Sequence, residues 1–243
     1  MFFESLSNPT LELIDIRAVS EIARNVGATV ICDNVFSTPV FGDAIGQGVD
    51  VVIYSATKHI DGQGRCLGGV ILGTEEFIRK TVEPYLKHTG GAISPFNAWV
   101  LLKSIETMDL RVRAQAETAQ RVAEALIGVP GAARVIFPGL ASHPQHALAQ
   151  DQMEKPGTVI AIEVEGGQAG AFRMLNALDI IKISNNLGDA KSIATHPAPT
   201  THQRLTDEQR DAAGITRGLV RLSIGLEDAD DLIAELTEAL AQA

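Results

Sequence analysis

The stretch that decides the fold is Val51-Val-Ile-Tyr-Ser-Ala-Thr-Lys58-His-Ile-Asp-Gly-Gln-Gly-Arg65. Its apolar, β-branched start predicts a buried strand, which leads into a loop of Ser, Thr, His, Asp and Gly. A lysine at the mouth of such a strand is partly removed from water, which disfavours its charged form. The neutral amine can attack a carbonyl group. We therefore predict that Lys58 is catalytic; a solvated charge that closes a strand is the alternative.

Two hydroxyl residues precede this lysine. Ser55 and Thr57 are two residues apart, so on a continuing strand both side chains point to the same side and can bind one anion. A hydroxyl pair beside a lysine that can form a Schiff base fits a phosphorylated aldehyde such as pyridoxal phosphate. The short string Ser-x-Thr-Lys is weak on its own, because many unrelated chains contain it.

A second apolar run, Ala28-Thr-Val-Ile-Cys-Asp33, ends in a carboxylate. An aspartate at the carboxyl end of a parallel strand faces the crevice where α/β proteins bind ligands. Pyridoxal phosphate needs a carboxylate that keeps its ring nitrogen protonated. Asp33 precedes Lys58 by 25 residues, with a helix-compatible segment between them. The spacing predicts one cofactor held between two neighbouring strand ends.

Alternating strands and helices characterise the first part of the chain. Apolar residues recur at helical spacing over 11–26, and strands are predicted at 28–33, 49–54 and 68–72. Strands separated by helices form parallel sheets with crossover connections. We assign residues 1–100 to a cofactor-binding domain of the α/β class.

A long helical pattern over 95–127 follows, and we assign 101–130 to a connector helix. Residues 131–243 are predicted to form a smaller α+β domain. Its predicted strands are 133–137, 158–164, 180–183 and 218–224, its helices are 168–178 and 228–241, and 140–156 is predicted to be a loop.

Arg221 lies within the last predicted strand. It alternates with Val220 and Leu222, so its side chain points away from two apolar neighbours. An arginine inside such a strand needs an anion, and its planar fork matches an α-carboxylate with two hydrogen bonds. A surface arginine on a half-exposed strand is the alternative.

Composition narrows the class of protein. The chain has 243 residues, 45% of them hydrophobic, and a net charge of −10, which argues against nucleic acid as a partner. No apolar run approaches the length of a membrane span and no signal peptide is recognisable, so we expect a cytoplasmic protein. The two cysteines are too few for a disulfide framework. The histidine pairs lack cysteine or carboxylate at ligand spacing, so we expect no metal.

Several motifs together resemble one known family. They are Asp33-Asn, Ser55-Ala-Thr-Lys58, Asn186-Leu-Gly-Asp-Ala-Lys-Ser192, His196-Pro-Ala and Val220-Arg-Leu-Ser223. In order and spacing they resemble the Cys/Met-metabolism family of pyridoxal-phosphate enzymes, over essentially the whole chain. The stretches around Lys58 and Asn186 are most similar to the O-succinylhomoserine sulfhydrylase subgroup.

The resemblance implies a fold and a set of roles. It implies a fold-type I transferase-like α/β domain, present in part and with a mostly parallel sheet, followed by a smaller α+β domain. It implies that Asn8 reaches the phenolic oxygen of pyridoxal phosphate, that Arg221 binds the substrate carboxylate and that Asn186 orients it. Asn8 is also expected to cap a helix that begins near Thr10. Family members carry a further segment before the position that corresponds to Met1 of this chain. We therefore expect the chain to be truncated at its N-terminus.

The implied reaction is a γ-replacement in transsulfuration and methionine biosynthesis. O-succinylhomoserine and sulfide would give homocysteine and succinate, with a homo-oligomer, a dimer or tetramer, as the working assembly. Two alternatives remain open: a cystathionine γ-synthase or γ-lyase of the same family, and a non-catalytic fragment or assembly subunit that keeps the fold.

Overall fold

A computed structural model describes the whole chain, residues 1–243. The first sheet contains β1 (Phe2–Glu4), β2 (Ile31–Asp33), β3 (Val51–Ser55) and β4 (Gly69–Leu72), in that spatial order. β1, β2 and β3 are parallel, and β4 runs antiparallel to β3. The register places Glu4 beside Asp33, and Asp33 beside Ile53. The carboxyl ends of the three parallel strands therefore meet at one edge, as expected for a ligand crevice.

The first helix is shorter than the sequence pattern predicts. α1 spans Ile16–Asn25, and the side chain of Asp15 caps it by accepting from the Ala18 N–H. Leu11 has a φ of 58°, in the left-handed region, so the predicted start at residue 11 is wrong. A short α2 (Thr38–Phe41) follows β2.

The segment after β4 is a helical stretch that the sequence analysis did not assign. It comprises α3 (Glu75–Phe77), a π-helical turn over Ile78–Val82 and α4 (Glu83–Thr89). Ion pairs at helical spacing join Lys80 to Glu76 and Arg79 to Glu83. These charge pairs were the available signal, but the stretch buries no residue and so lacks the apolar periodicity that identifies most helices.

The predicted helix over 95–127 is two helices, α5 (Pro95–Ile105) and α6 (Met108–Ala125). The Ser104 carbonyl accepts from the Thr107 N–H at 3.3 Å and from the Arg111 guanidinium at 3.1 Å. These bonds replace the next helical hydrogen bond and end α5. The division into domains at 100 and 130 stays a prediction.

The second sheet is largely antiparallel. Its strands are β5 (Ala132–Ile136), β6 (Val159–Val164), β7 (Lys182–Ile183), β8 (Ile193–Thr195) and β9 (Leu219–Ser223), in the spatial order β5-β6-β9-β8-β7. The remaining helices are α7 (His146–Gln152), α8 (Gly167–Asn176), α9 (Asp207–Ala212) and α10 (Ala229–Leu240). A mostly parallel sheet followed by an α+β part confirms the predicted fold class, although the second part, with five strands against four, is not the smaller one in this chain. β8 and α9 were not predicted.

The segment over 140–156, which was predicted to be a loop, contains α7. Two glutamines hold it: the Gln145 amide bonds the backbone of Leu13, and the Gln152 amide bonds Ile14 and Ile16. These partners lie more than a hundred residues away in the chain. A local pattern could not have revealed a helix whose support is tertiary.

Three apolar clusters form the core. One lies around the first sheet, and another lies between the second sheet and the helices α6, α8 and α10. The third joins Leu6, Leu11 and Phe36 to Val159 and Leu187, so it packs the first part of the chain against the second sheet. The carboxyl ends of β1–β3 thus face residues of the later strands and loops. None of the helices is both long and apolar enough to cross a membrane.

Candidate functional site

A cavity of about 140 Å³ lies at the carboxyl ends of β1, β2 and β3. Four of the residues predicted from the sequence line it: Asn8, Asp33, Ser55 and Lys58. The other lining residues are Glu4, Leu6, Val35, Phe36 and Leu187. Polar and apolar side chains therefore line the cavity together, as in small-molecule sites.

Lys58 lies just beyond β3, in a single π-helical turn over Ala56–Ile60. Its backbone leaves the helical region, with φ −89° and ψ −126°, and this irregularity turns the side chain out of the helical path. The Nζ atom donates a hydrogen bond to the Asn186 Oδ1. Burial lowers the pKa of the Lys58 amine, and the nearby charge of Arg221 lowers it further. The amine is thus biased towards its neutral, nucleophilic form.

Asp33 closes β2 and faces the same cavity. Burial raises the pKa of its carboxyl group, while a hydrogen bond from the Val35 N–H to Oδ1, at 3.1 Å, opposes that shift. A cation beside Asp33 would favour the ionised form. The position therefore suits a carboxylate that faces a protonated ring nitrogen.

Glu4 is a second carboxylate at this edge, and it was not predicted from the sequence. It ends β1, beside Asp33 in the register of the sheet. Burial raises the pKa of Glu4, a hydrogen bond from the Asn8 N–H at 3.2 Å lowers it, and the charge of Asp33 raises it. The available signal was a short apolar strand, Phe2-Phe3, that ends in an acid just as β2 does.

The two predicted hydroxyl residues are placed differently from each other. Ser55 ends β3 and lines the cavity. Thr57 lies beyond the strand in the π-helical turn, so the expectation that both side chains alternate along one strand is wrong. The Thr57 hydroxyl accepts a hydrogen bond from the Gly68 N–H at 3.1 Å. The turn begins as soon as the strand ends, and the period of two no longer applies.

Arg221 lies in β9 and is only 2% exposed, which excludes the alternative of a surface arginine. Its guanidinium donates to the Asn8 Oδ1 at 2.8 Å and to the carbonyl oxygens of Asn185 and Asn186 at 3.1 and 2.9 Å. Burial lowers the pKa of Arg221 to about 10. All three partners are neutral, so no carboxylate balances this buried cation. Its Nε has no hydrogen-bond partner.

Asn8 and Asn186 connect these groups. The expectation that Asn8 caps a helix near Thr10 is wrong, because no helix begins before Ile16 and the Asn8 side chain is bound to Arg221 instead. Asn186 accepts from Lys58 with its side chain and from Arg221 with its backbone. A continuous set of hydrogen bonds therefore runs from Asn8 through Arg221 and Asn186 to Lys58.

These residues fit a phosphorylated aldehyde cofactor together with an amino-acid substrate. The site offers an amine for the aldehyde, a carboxylate for a ring nitrogen, a hydroxyl for a phosphate and an uncompensated guanidinium for a carboxylate. The cavity of about 140 Å³ is smaller than the roughly 300 Å³ of ordinary ligand pockets, so it encloses only part of such a cofactor.

Other parts of the surface lack this chemistry. A larger cavity, of about 660 Å³, lies between α6 and the 138–156 segment and contains none of the predicted site residues. No group of three or more His, Cys, Asp or Glu side chains is arranged to hold a metal ion.

The chain is similar to a well-populated group of known proteins. Residues 1–241 match the family model described as Cys/Met metabolism PLP-dependent enzyme. An O-succinylhomoserine sulfhydrylase from Mycobacterium tuberculosis is 51% identical over 99% of this chain and 60% of its own length. An L-methionine gamma-lyase from Pseudomonas putida is 42% identical over 99% of this chain and 61% of its own length. The chain thus spans about 60% of these relatives.

Solved structures agree with the sequence matches. A cystathionine gamma lyase from Micromonospora echinospora superposes with a TM-score of 0.96 at 35% identity, over 100% of this chain and 64% of its own. A Campylobacter jejuni chain that carries N'-pyridoxyl-lysine-5'-monophosphate superposes with a TM-score of 0.94 at 33% identity, over 99% of this chain and 65% of its own. The family resemblance that the motifs predicted is confirmed.

Proposed function

Since the chain belongs to the Cys/Met metabolism PLP-dependent enzyme family, we propose that it provides the cofactor and substrate groups of an O-succinylhomoserine sulfhydrylase. The reaction is the replacement of the γ-substituent of O-succinylhomoserine by sulfide, which gives homocysteine and succinate. The observation that carries the proposal is that Lys58 and Asp33 line one cavity, while Asn186 links Lys58 to the buried Arg221. The 51% identity to a sulfhydrylase of this name supports the choice of reaction.

The residues divide between cofactor and substrate. Lys58 would hold pyridoxal phosphate through its amine, and Asp33 would keep the ring nitrogen protonated. Ser55 would donate to the phosphate, Thr57 would do so in exchange for its bond to the Gly68 backbone, and Asn8 would reach the phenolic oxygen. When bound, pyridoxal phosphate withdraws electrons from the substrate Cα and so makes its proton removable.

Arg221 and Asn186 orient the amino acid. The guanidinium of Arg221 lacks an anionic partner, and an α-carboxylate with two oxygens would match its fork. In the free chain three neutral oxygens occupy part of that fork, so substrate binding replaces at least one of these hydrogen bonds. Asn186, whose side chain accepts from Lys58 and whose backbone carbonyl accepts from Arg221, positions the carboxylate relative to the amine.

Lys58 moves the protons. With cofactor and substrate bound, its Nζ would serve as a base beside the substrate Cα. The lowered pKa of this amine favours the neutral form that removes the Cα proton. The same Nζ would take a Cβ proton as succinate leaves the γ-carbon, and would return protons to Cβ and Cα once sulfide has added at the γ-carbon. We also propose that the working protein is a cytoplasmic homo-oligomer.

Two alternatives remain: a γ-lyase or γ-synthase of the same family, and a non-catalytic chain. A γ-lyase is supported by the 42% identity to a methionine gamma-lyase, and a γ-synthase would use cysteine in place of sulfide. A non-catalytic chain is the second candidate, because the cavity of about 140 Å³ encloses only part of such a cofactor.

One assay separates these functions. The chain is supplied with pyridoxal phosphate and O-succinylhomoserine, and with sulfide, cysteine or no acceptor. The proposal predicts homocysteine in the sulfide reaction. Cystathionine with cysteine identifies a synthase, and 2-oxobutanoate without acceptor identifies a lyase. Absence of all three products, with no cofactor bound, would favour the non-catalytic chain.

A further inference from the structure

His59 follows Lys58 directly in the turn over Ala56–Ile60, here called the lysine turn, and is buried, with 2% of its surface exposed. Its Nε2 is 2.8 Å from the Thr158 Oγ1, and Thr158 is fully buried just before β6. The Thr158 carbonyl in turn accepts from the Ile224 N–H at 2.9 Å, three residues beyond Arg221. One side chain therefore connects the turn that carries the amine to the strands that carry the arginine.

Gly188 lies against the other side of the imidazole. A Cβ on this glycine would be 2.7 Å from the His59 backbone nitrogen and 2.9 Å from the Cγ and Nδ1 of the ring. Gly188 has a φ of +71° and follows Asn186 by two residues. Nearby, the Ala190 N–H donates to the Gly62 carbonyl at 2.7 Å. The segment that holds the Lys58 amine thus rests directly on His59.

The imidazole is neutral in this environment. Burial lowers the pKa of His59 to about 4, and the charges of Arg111 and Lys58 act in the same direction. Arg111 also donates to the carbonyl oxygens of His59 and Ile60, at 3.1 and 3.4 Å. The turn is therefore held through both its backbone and the His59 side chain.

From this geometry we infer that His59 is a positioning residue, which holds the Lys58 amine in its desolvated place beside Asn186 and at a fixed separation from Arg221. The consequence of this positioning for catalysis rests on the proposed function, but the effect of His59 on the Lys58 amine does not. A residue that merely filled the core would add stability and leave the reactivity of Lys58 unchanged.

The test is the pH dependence of amine labelling. Brief treatment with acetic anhydride over a series of pH values, read by peptide mass spectrometry, gives the titration midpoint of Lys58, with the exposed Lys87 as internal reference. The variants are His59→Leu, which removes the hydrogen bond, and His59→Gln, whose amide can reach the Thr158 hydroxyl. Thr158→Val removes the same bond from the other side at nearly constant volume.

We expect His59→Leu and Thr158→Val to raise the Lys58 midpoint by about 1 pH unit, because a half-buried amine regains part of its hydration. His59→Gln restores the original midpoint. His196→Leu is the control, since His196 is also a buried histidine, bonded to the Arg217 carbonyl at 2.8 Å, and lies outside the lysine turn. We expect this control variant to lower the unfolding temperature and to leave the titration midpoint of Lys58 unchanged.

An unchanged Lys58 midpoint in folded Thr158→Val would overturn the inference, as would equal shifts in the His196 control. If His59→Leu does not fold, Thr158→Val decides alone, since it keeps the imidazole and the packing volume. Because labelling needs no cofactor, a failure of this inference is distinct from a failure of the proposed function. The latter is revealed by wild-type chain that does not attach pyridoxal phosphate at Lys58.

Discussion

Lys58 and Asn186 lie 128 residues apart in the chain and are joined by a hydrogen bond from Nζ to Oδ1. The first belongs to the end of the parallel sheet, and the second belongs to the segment between β7 and β8. Asn186 also accepts from Arg221 through its backbone. The amine and the arginine therefore act within one connected set of groups, although they come from different sheets.

Replacement of Arg221 by Lys tests the carboxylate role. Lysine keeps the positive charge but offers no planar fork, so one or two charge-assisted hydrogen bonds to the substrate are lost. At about 1.5–3 kcal/mol for such bonds, we expect binding of O-succinylhomoserine to weaken roughly 10- to 100-fold. A spectral titration of the cofactor-loaded chain measures the apparent Kd. Unchanged affinity would remove Arg221 from this role.

The Arg221→Lys variant must also leave cofactor attachment as it is in the wild type. A loss of the cofactor absorbance band together with substrate affinity would indicate general damage to the site. Asn8→Ala is the matched comparison, because it removes a neighbour of the arginine and keeps the arginine itself. We expect this change to alter the cofactor spectrum as well as substrate binding.

Asp33→Asn is expected to stabilise the cofactor-free chain at neutral pH. Burial raises the pKa of Asp33 in the folded state, so the folded chain binds the proton more tightly and loses stability as pH rises through the folded pKa. An amide removes this cost of burying a charge, and it can keep the bond from the Val35 N–H. The stabilisation should vanish below the ordinary carboxyl pKa of about 4, where Asp33 is neutral in both states.

Thermal unfolding of both chains at neutral and acidic pH measures this difference. The same substitution should weaken pyridoxal phosphate binding, since the partner of the ring nitrogen is lost. A variant that is less stable than wild type at neutral pH would show that the carboxylate is held favourably without cofactor.

Gly188→Ala is expected to disturb the lysine turn. The new Cβ would lie 2.7 Å from the His59 nitrogen, and the φ of +71° is unfavourable for any residue with a Cβ. Gly90→Ala is the matched control, because its φ is +76° but no atom lies within 4 Å of the added carbon. Both variants lose about 1–2 kcal/mol to the backbone conformation. Only Gly188→Ala should lose more in denaturant unfolding and also shift the labelling midpoint of Lys58.

The sequence was sufficient to predict the functional side chains that lie at the ends of buried strands. Lys58 and Asp33 each follow an apolar run, and a parallel sheet brings such ends to one edge. The same rule could have identified Glu4, but a strand of three residues is too short for its alternating pattern to be recognised. Thr57 was predicted to lie on the strand, but β3 ends at Ser55 and Thr57 belongs to the turn that begins at the next residue.

Contacts between distant segments could not be read from the sequence. Asn8 and Arg221 are 213 residues apart, and their hydrogen bond depends on how the first part of the chain packs on the second sheet. The helix α7 depends on Gln145 and Gln152 in the same way. A local sequence pattern indicates secondary-structure propensity and burial, whereas this hydrogen bond and this helix depend on tertiary partners.

Covalent attachment of pyridoxal phosphate tests the central claim most directly. Wild-type chain and Lys58→Arg are incubated with the cofactor, reduced with borohydride and mapped by peptide mass spectrometry, with the exposed Lys87 as reference. The account predicts that the pyridoxyl group resides on Lys58 far more than on any other lysine, and that the Lys58→Arg chain shows only low, scattered labelling. Equal labelling of all lysines in the wild type, or preferential labelling elsewhere, would contradict it.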